Sequence, residues 1–380
     1  MSRIYLDNAA TTMVCSEAAE KVLYVMTQAY GNPSSLHAMG FEAERELVAT
    51  REAVAAQLSV GAAEIFFTSG GTESNNIALF GAARQNGRKH KHIVTTAIEH
   101  PSVLSVMHQL EGEGFTVEYL KPDASGQIYA EQVEQAITDQ TALVSMMLVN
   151  NETGVRMPVE AASAAIRRKK SPALLHVDAV QAFGKLVVRP SRMGVDLMSL
   201  SSHKIHGPKG AGALYVAGGR HFPPRSFGGG QERELRPGTE PLPAIAGFGA
   251  AVRALPPAAE QEQHMKELNH MLRERLAQIP DVIVNSPEEA APHILSFSAM
   301  GVRAETMLHF LASKDIYVSS GSACSKAKPS HVLTAMGISP NQVDSSLRAS
   351  FSRYTTTEEV CALADAVAEG LNQLVKKARG

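Results

Sequence analysis

The chain has 380 residues, of which 44% are hydrophobic, enough for a large core; domains usually hold about 100–200 residues, so two domains or one elaborated domain are predicted. Lys and Arg number 36 against 38 Asp and Glu, a net charge of −2, and the longest basic run is Arg167-Arg168-Lys169-Lys170, which argues against direct nucleic-acid binding. No apolar stretch approaches the roughly 18 residues that cross a bilayer, and Asp7 interrupts the N-terminus before a signal core forms, so a cytoplasmic protein without membrane contact is predicted.

From about residue 60 to residue 216, short apolar runs alternate with helix-like stretches. The runs are Ile65-Phe66-Phe67, His92-Ile93-Val94, residues 142–149, Leu174-Leu175-His176-Val177 and residues 196–200. This rhythm predicts a mostly parallel sheet with helices on both faces, and the near-continuous apolarity of residues 142–149 suits a central strand. Residues 222–243 are rich in glycine and proline, with Gly228-Gly229-Gly230 and Pro237-Gly238, and read as a long functional loop. A second region follows a boundary placed near residue 255, with a helix over 258–278, a strand over 294–297 and a closing helix. That last helix opens at Thr357-Glu358-Glu359 and carries the stripe Val360, Leu363, Val367, Leu371.

Nearly every apolar run in the first region ends in chemically capable residues. Phe67 leads into Thr68-Ser69-Gly70-Gly71-Thr72, Val149 into Asn150-Asn151-Glu152, Val177 into Asp178, and Leu200 into Ser201-Ser202-His203-Lys204. In open α/β sheets ligands bind beyond the carboxyl ends of the strands, so these clusters are predicted to share one crevice. Gly70-Gly71-Thr72 ahead of a helix from Glu73 onward suits an anion, a phosphate above all; a tight turn without ligand fits the motif equally well. Lys204 alone also describes a solvated lysine. With Asp178 at a neighbouring strand end it fits pyridoxal phosphate, which needs a lysine for its Schiff base and an acid for its pyridinium nitrogen.

Three cysteines, at 15, 324 and 361, show no disulfide or zinc spacing, and the pairs His203/His206 and His90/His92 lack further ligands, so free thiols and no metal site are predicted. Cys324 lies in the small, polar run Ser319-Ser320-Gly321-Ser322-Ala323-Cys324-Ser325-Lys326, a better setting for a nucleophile than Cys361 on the last helix or Cys15, both read as structural. Arg348 suits a carboxylate clamp, though its local sequence describes an ordinary surface arginine as well.

Together these motifs resemble the cysteine desulfurases of the nitrogen-fixation and iron–sulfur-cluster type, in the class V aminotransferase superfamily with the type I pyridoxal-phosphate fold. The resemblance runs nearly end to end, through residues 5–12, 31–35, 68–76, 99–102, 150–154, 176–181, 201–210, 236–239 and 320–325. It implies an α/β chain with a large cofactor domain over 13–255, and a smaller α+β domain from 1–12 and 256–380 carrying the cysteine loop. It also implies roles: Lys204 as the Schiff-base lysine, Asp178 on the pyridine nitrogen, Gln181 on the ring hydroxyl, and His100 stacking on the ring and moving protons. Gly71, Thr72, Ser201 and His203 would hold the phosphate with Thr239 from the partner subunit of a homodimer; Asn151 would sit beside ring and substrate, and Arg348 would take the carboxylate of L-cysteine. Cys324 would receive the sulfur as a persulfide, release alanine and pass the sulfur to an acceptor protein. The proline after Cys324 arrives at Pro329, about two residues sooner than in housekeeping members of the family, and a shorter loop has less reach. Cluster assembly, thiolation of transfer RNA and other uses of the sulfur stay open.

A selenocysteine lyase or another class V pyridoxal-phosphate enzyme, such as an aminotransferase, is the alternative among enzymes. Cys324 separates these readings, because aminotransfer needs no protein thiol. A catalytically silent scaffold is the alternative outside enzymes, and intact Lys204, Asp178, His100 and Cys324 speak against it.

Overall fold

The structure is a computed structural model that describes residues 3–87, 89–218, 220, 222–320 and 329–379. In chain order its strands are β1 (Ile4–Tyr5), β2 (Ile65–Thr68), β3 (His92–Thr96), β4 (Thr116–Leu120), β5 (Thr141–Met147) and β6 (Leu174–Asp178). They continue with β7 (Leu197–Ser201), β8 (Gly212–Val216), β9 (Val282–Val284), β10 (Ile294–Ala299), β11 (Ile316–Tyr317) and β12 (Ser346–Ser350).

Seven strands form the central sheet in the order β2-β8-β7-β6-β5-β3-β4. The run from β7 to β4 is parallel, while β8 lies antiparallel to both its neighbours. Strands β5 to β8 are buried at every position, as their largely apolar sequences require when helices cover both faces. Edge strand β4 alternates instead, with Thr116 and Glu118 exposed, and is a strand beyond those the apolar runs predict.

One hydrophobic core fills each face of the sheet, and a third gathers Leu268, Leu272, Phe297, Leu347, Phe351 and the stripe Val360, Leu363, Val367, Leu371. That stripe belongs to the helix Thr357–Arg379, which opens where the sequence predicts. The third core is laid on the antiparallel sheet β12-β10-β9. Helix Ala258–Ala277 follows Leu242–Arg253 at a bend of 80°. No single helix among the described residues is long and apolar enough to cross a membrane.

The first dozen residues tie the two regions together. Strand β1 pairs with β11, Asp7 bridges to Ser350, and Ala9 N–H donates to Ser350 Oγ at 2.8 Å. The chain then runs to the edge of the central sheet, where Thr12 N–H donates to the His203 carbonyl at 3.0 Å and Cys15 N–H to that of His206 at 2.9 Å.

Candidate active site

At the carboxyl ends of the parallel strands lies a cavity of about 590 Å³. Gly71, Thr72, His100, Asn151, Asp178, Gln181, Ser201, His203, Lys204 and Arg348 all line it, so ten of the twelve residues singled out in the sequence meet at one place. Thr239 is exposed and does not line this cavity. Cys324 lies outside the described residues. The chain on either side reaches the site nonetheless: Pro329 lines the cavity, and Ser319 pairs backbone to backbone with Arg348.

The anion end is built by glycine. Gly70 adopts φ +149°, a conformation side chains rarely take, and turns β2 into helix Gly71–Asn86, which starts two residues before the predicted Glu73. A Cβ on Gly71 would sit 2.6 Å from Val180 Cγ2, so only glycine fits. The first N–H groups of a helix have no intrahelical acceptor, and Ser201 Oγ beside them is buried with no hydrogen-bond partner. That is the donor set of an anion site.

Lys204 ends the short turn Ser202–Lys204 directly after β7. Its Nζ donates to the carbonyls of Ala9 and Ala10, each at 2.6 Å. Gln181 Nε2 donates to the same Ala9 carbonyl at 2.9 Å. Asp178, the last residue of β6, accepts from Val180 N–H at 3.0 Å and Asn75 Nδ2 at 2.8 Å. Arg348 lies in the middle of β12 and is 1% exposed, not the surface residue its local sequence suggests. Its guanidinium donates to the Asn151 carbonyl at 2.7 Å and to Asp7 Oδ1 at 2.8 Å.

Burial sets the protonation of the histidines. It pushes His203 down to about 4, aided by Lys204, Lys209 and Lys185. It also lowers His100; Asp178 opposes that shift, and Lys204 and His331 reinforce it.

Several residues of the site were not singled out in the sequence. Asn75 stands one turn inside the phosphate-site helix and Ser102 two residues beyond His100, both within motifs quoted above, and their spacing is the signal. Glu99 is fully buried and pushed up to about 8, first by burial and further by Asp178, against hydrogen bonds from Thr96 and Met147. His331 lines the cavity and reaches the Glu99 carbonyl at 3.0 Å through Nε2. Ser330 hydrogen-bonds buried Glu152. Cys15 is buried and Cys361 Sγ lies 3.7 Å from Met271 Sδ, which suits the packing roles expected of both.

A mostly parallel sheet whose strand ends bring a lysine, a carboxylate and a helix N-terminus into one cavity defines an α/β enzyme with the groups to hold an anionic ligand. The chain belongs to the aminotransferase class-V family, whose pattern matches residues 4–363. The cysteine desulfurase of Trichormus azollae is 41% identical over 386 residues, spanning 100% of this chain and 94% of that protein. The mitochondrial cysteine desulfurase of Drosophila melanogaster is 43% identical over 373 residues, 95% of this chain and 79% of that one. Among solved structures, a NifS-like protein superposes with a TM-score of 0.92 at 38% identity, covering 98% of this chain and 100% of that one. The structure of SspA in complex with cysteine gives 0.82 at 35% identity, covering 93% and 100%.

Proposed function

We propose that this enzyme is a pyridoxal-phosphate-dependent cysteine desulfurase that converts L-cysteine to L-alanine and delivers the sulfur to Cys324. The observation that carries the reading is the meeting of Lys204, Asp178 and the Gly71–Thr72 turn in one cavity, on a chain so similar to cysteine desulfurases along its whole length.

The residues present fit the cofactor. Glycine backbone, the unpartnered Ser201 hydroxyl and the His203 ring form a cradle for its phosphate, Asp178 offers a carboxylate for the pyridine nitrogen, and Lys204 Nζ an amine for the aldehyde. When bound, pyridoxal phosphate supplies an electron sink that acidifies the substrate α-hydrogen and weakens its hold on sulfur. Lys204 and His100 carry the protons of this exchange. Asn151 and Gln181 orient ring and substrate, and Arg348, held rigid by Asp7 and the Asn151 carbonyl, takes the substrate carboxylate. The Cys324 thiolate then attacks the substrate sulfur: an S–S bond forms, the C–S bond breaks, and the carbon gains a proton to leave as alanine. No outside oxidant is needed, because the carbon is reduced as the sulfur is oxidised.

The same proposal holds a large domain over 13–255 with a small one from 1–12 and 256–380, a homodimer in which Thr239 serves the neighbouring site, a cytoplasmic setting supported by free Cys15 and Cys361, and a sulfur-acceptor protein. Incubation with cysteine followed by mass spectrometry tests it. Cys324 should gain one sulfur while alanine accumulates, and Cys324→Ala should abolish sulfide release. Full activity of Cys324→Ala, or sulfur found only on Cys361, would refute the assignment of the thiol.

A further inference from the structure

The His100 ring is one end of a hydrogen-bonded chain that ends at Asp178. Asn75, 1% exposed, donates from Nδ2 both to Asp178 Oδ2 at 2.8 Å and to Ser102 Oγ at 2.9 Å. Ser102 Oγ lies 2.8 Å from His100 Nδ1, and Ser102 N–H donates to that nitrogen at 3.2 Å.

Chemistry fixes the direction of each bond. An ionised carboxylate only accepts, so the Asn75 amide must turn its NH₂ towards Asp178, and the second hydrogen of that group meets Ser102 Oγ. The orientation is held even though it leaves Asn75 Oδ1 buried without a partner. Because Ser102 Oγ accepts from Asn75, its single hydrogen is directed at His100 Nδ1, beside the backbone N–H. A nitrogen that receives donors presents a lone pair, so the proton of the neutral ring sits on Nε2. Among the described residues no hydrogen bond reaches that Nε2.

We propose that Asn75 and Ser102 are positioning residues that lock neutral His100 in the tautomer protonated on Nε2, and so select the nitrogen that exchanges a proton with the bound amino acid. The use of that nitrogen rests on the desulfurase reading above; the tautomer does not. The charged or titratable groups facing the ring are Asp178, Lys204 and His331, and burial with the latter two favours the neutral form in which a tautomer is defined.

The test is long-range ¹H–¹⁵N correlation on holoenzyme labelled with ¹⁵N-histidine, with the His100 signals assigned by their loss in His100→Gln. Wild type should show a single Nε2–H tautomer near neutral pH. Ser102→Ala and Asn75→Leu should each show a mixture of tautomers, and Ser102→Thr, which keeps the hydroxyl, should restore the single form. In parallel, kcat of Ser102→Ala should fall about tenfold with KM for cysteine nearly unchanged. An Nδ1–H tautomer in wild type, or an unchanged tautomer in both Ser102→Ala and Asn75→Leu, overturns the proposal. A tautomer lock that behaves as stated in a protein that turns over no cysteine would sink the desulfurase reading and leave the lock standing.

Discussion

Lys185 shows how the site's surroundings change an ordinary residue. Its side chain is 4% exposed, with Gln181 Oε1 at 3.4 Å. Burial first, then the positive charges of Lys204 and Arg348, push the ammonium down from 10.5 to about 7. Between those two values the unfolded chain binds a proton that the folded one does not, so stability rises with pH across the window and is lowest below pH 7. Lys185→Met, similar in length and uncharged, should therefore gain on wild type most at pH 6.5 and least near pH 10. The two differences should be separated by roughly 2–4 kcal/mol in urea unfolding. A gap between the two proteins that stays constant with pH would show that Lys185 does not titrate in this range. A second consequence concerns Gln181. A backbone carbonyl only accepts, so the amide is fixed with one Nε2 hydrogen on the Ala9 carbonyl and Oε1 towards Lys185. Its remaining hydrogen makes Gln181 a donor to whatever oxygen enters the cavity.

Elements carry the next level of control, and the glycine-rich segment over 222–243 is the clearest case. The short turn Gln231–Glu234 inside it places three successive side-chain-bearing residues in the left-handed region, Glu232, Arg233 and Glu234 at φ 46°, 54° and 66°, a conformation that persists only when its surroundings enforce it. Here the enforcing contact is a fork: both Arg51 terminal nitrogens bond both Glu232 oxygens, at 2.6 and 2.8 Å, and Phe67 N–H adds a third bond at 2.8 Å. The segment is thus pinned to β2, immediately before the phosphate turn. Removing one member of a buried pair strands the other, so Glu232→Ala should lower stability by roughly 2–4 kcal/mol in thermal unfolding and speed hydrogen exchange at Phe67. Arg51→Met with Glu232→Leu should recover part of the loss, and fully additive effects in that cycle would argue against coupling. Such pairs mark the limit of what sequence alone discloses. The composition of 222–243 announces a loop, but nothing local says what ties it down across 181 positions. Arg348 was ambiguous for the same reason, since the partner that permits its burial, Asp7, is 341 positions away. The central strands were readable because burial on both faces writes itself into largely apolar runs, whereas the alternating β4 left a weaker mark. The cavity's strand-end residues could be read because the βαβ rhythm fixes which end of each strand they occupy.

For the whole molecule, the distribution of exposed apolar residues is uneven. Of the fifteen large hydrophobic side chains exposed among the described residues, nine fall between Met13 and Val48, including Leu36 at 90%, Tyr30 at 66% and Met26 at 60%. Met13 precedes helix Ser16–Thr27, and the other eight sit on that helix, on helix Ala38–Leu58 and on the segment between them. Exposed apolar surface of this kind marks association sites, and it is the observation behind the proposed homodimer. Sedimentation should give twice the chain mass, and Tyr30→Asp with Leu36→Asp should shift the protein towards monomer while loosening cofactor retention, because Thr239 would no longer reach its neighbour's site. A wild-type monomer that holds the cofactor fully would contradict both points. The stitching of residues 7–9 to β12 has a further consequence, in time as well as in space. Asp7 pairs with Arg348, and Ala9 with Ser350, so residues 7–9 wait for a strand made 341 positions later. At about 5–20 residues per second that delay lasts tens of seconds. Once residue 216 has been made the nascent chain can hold its central sheet and Lys204, but not the wall that completes the pocket, so a translational stall between there and residue 346 would yield a partly folded chain unable to close around a substrate.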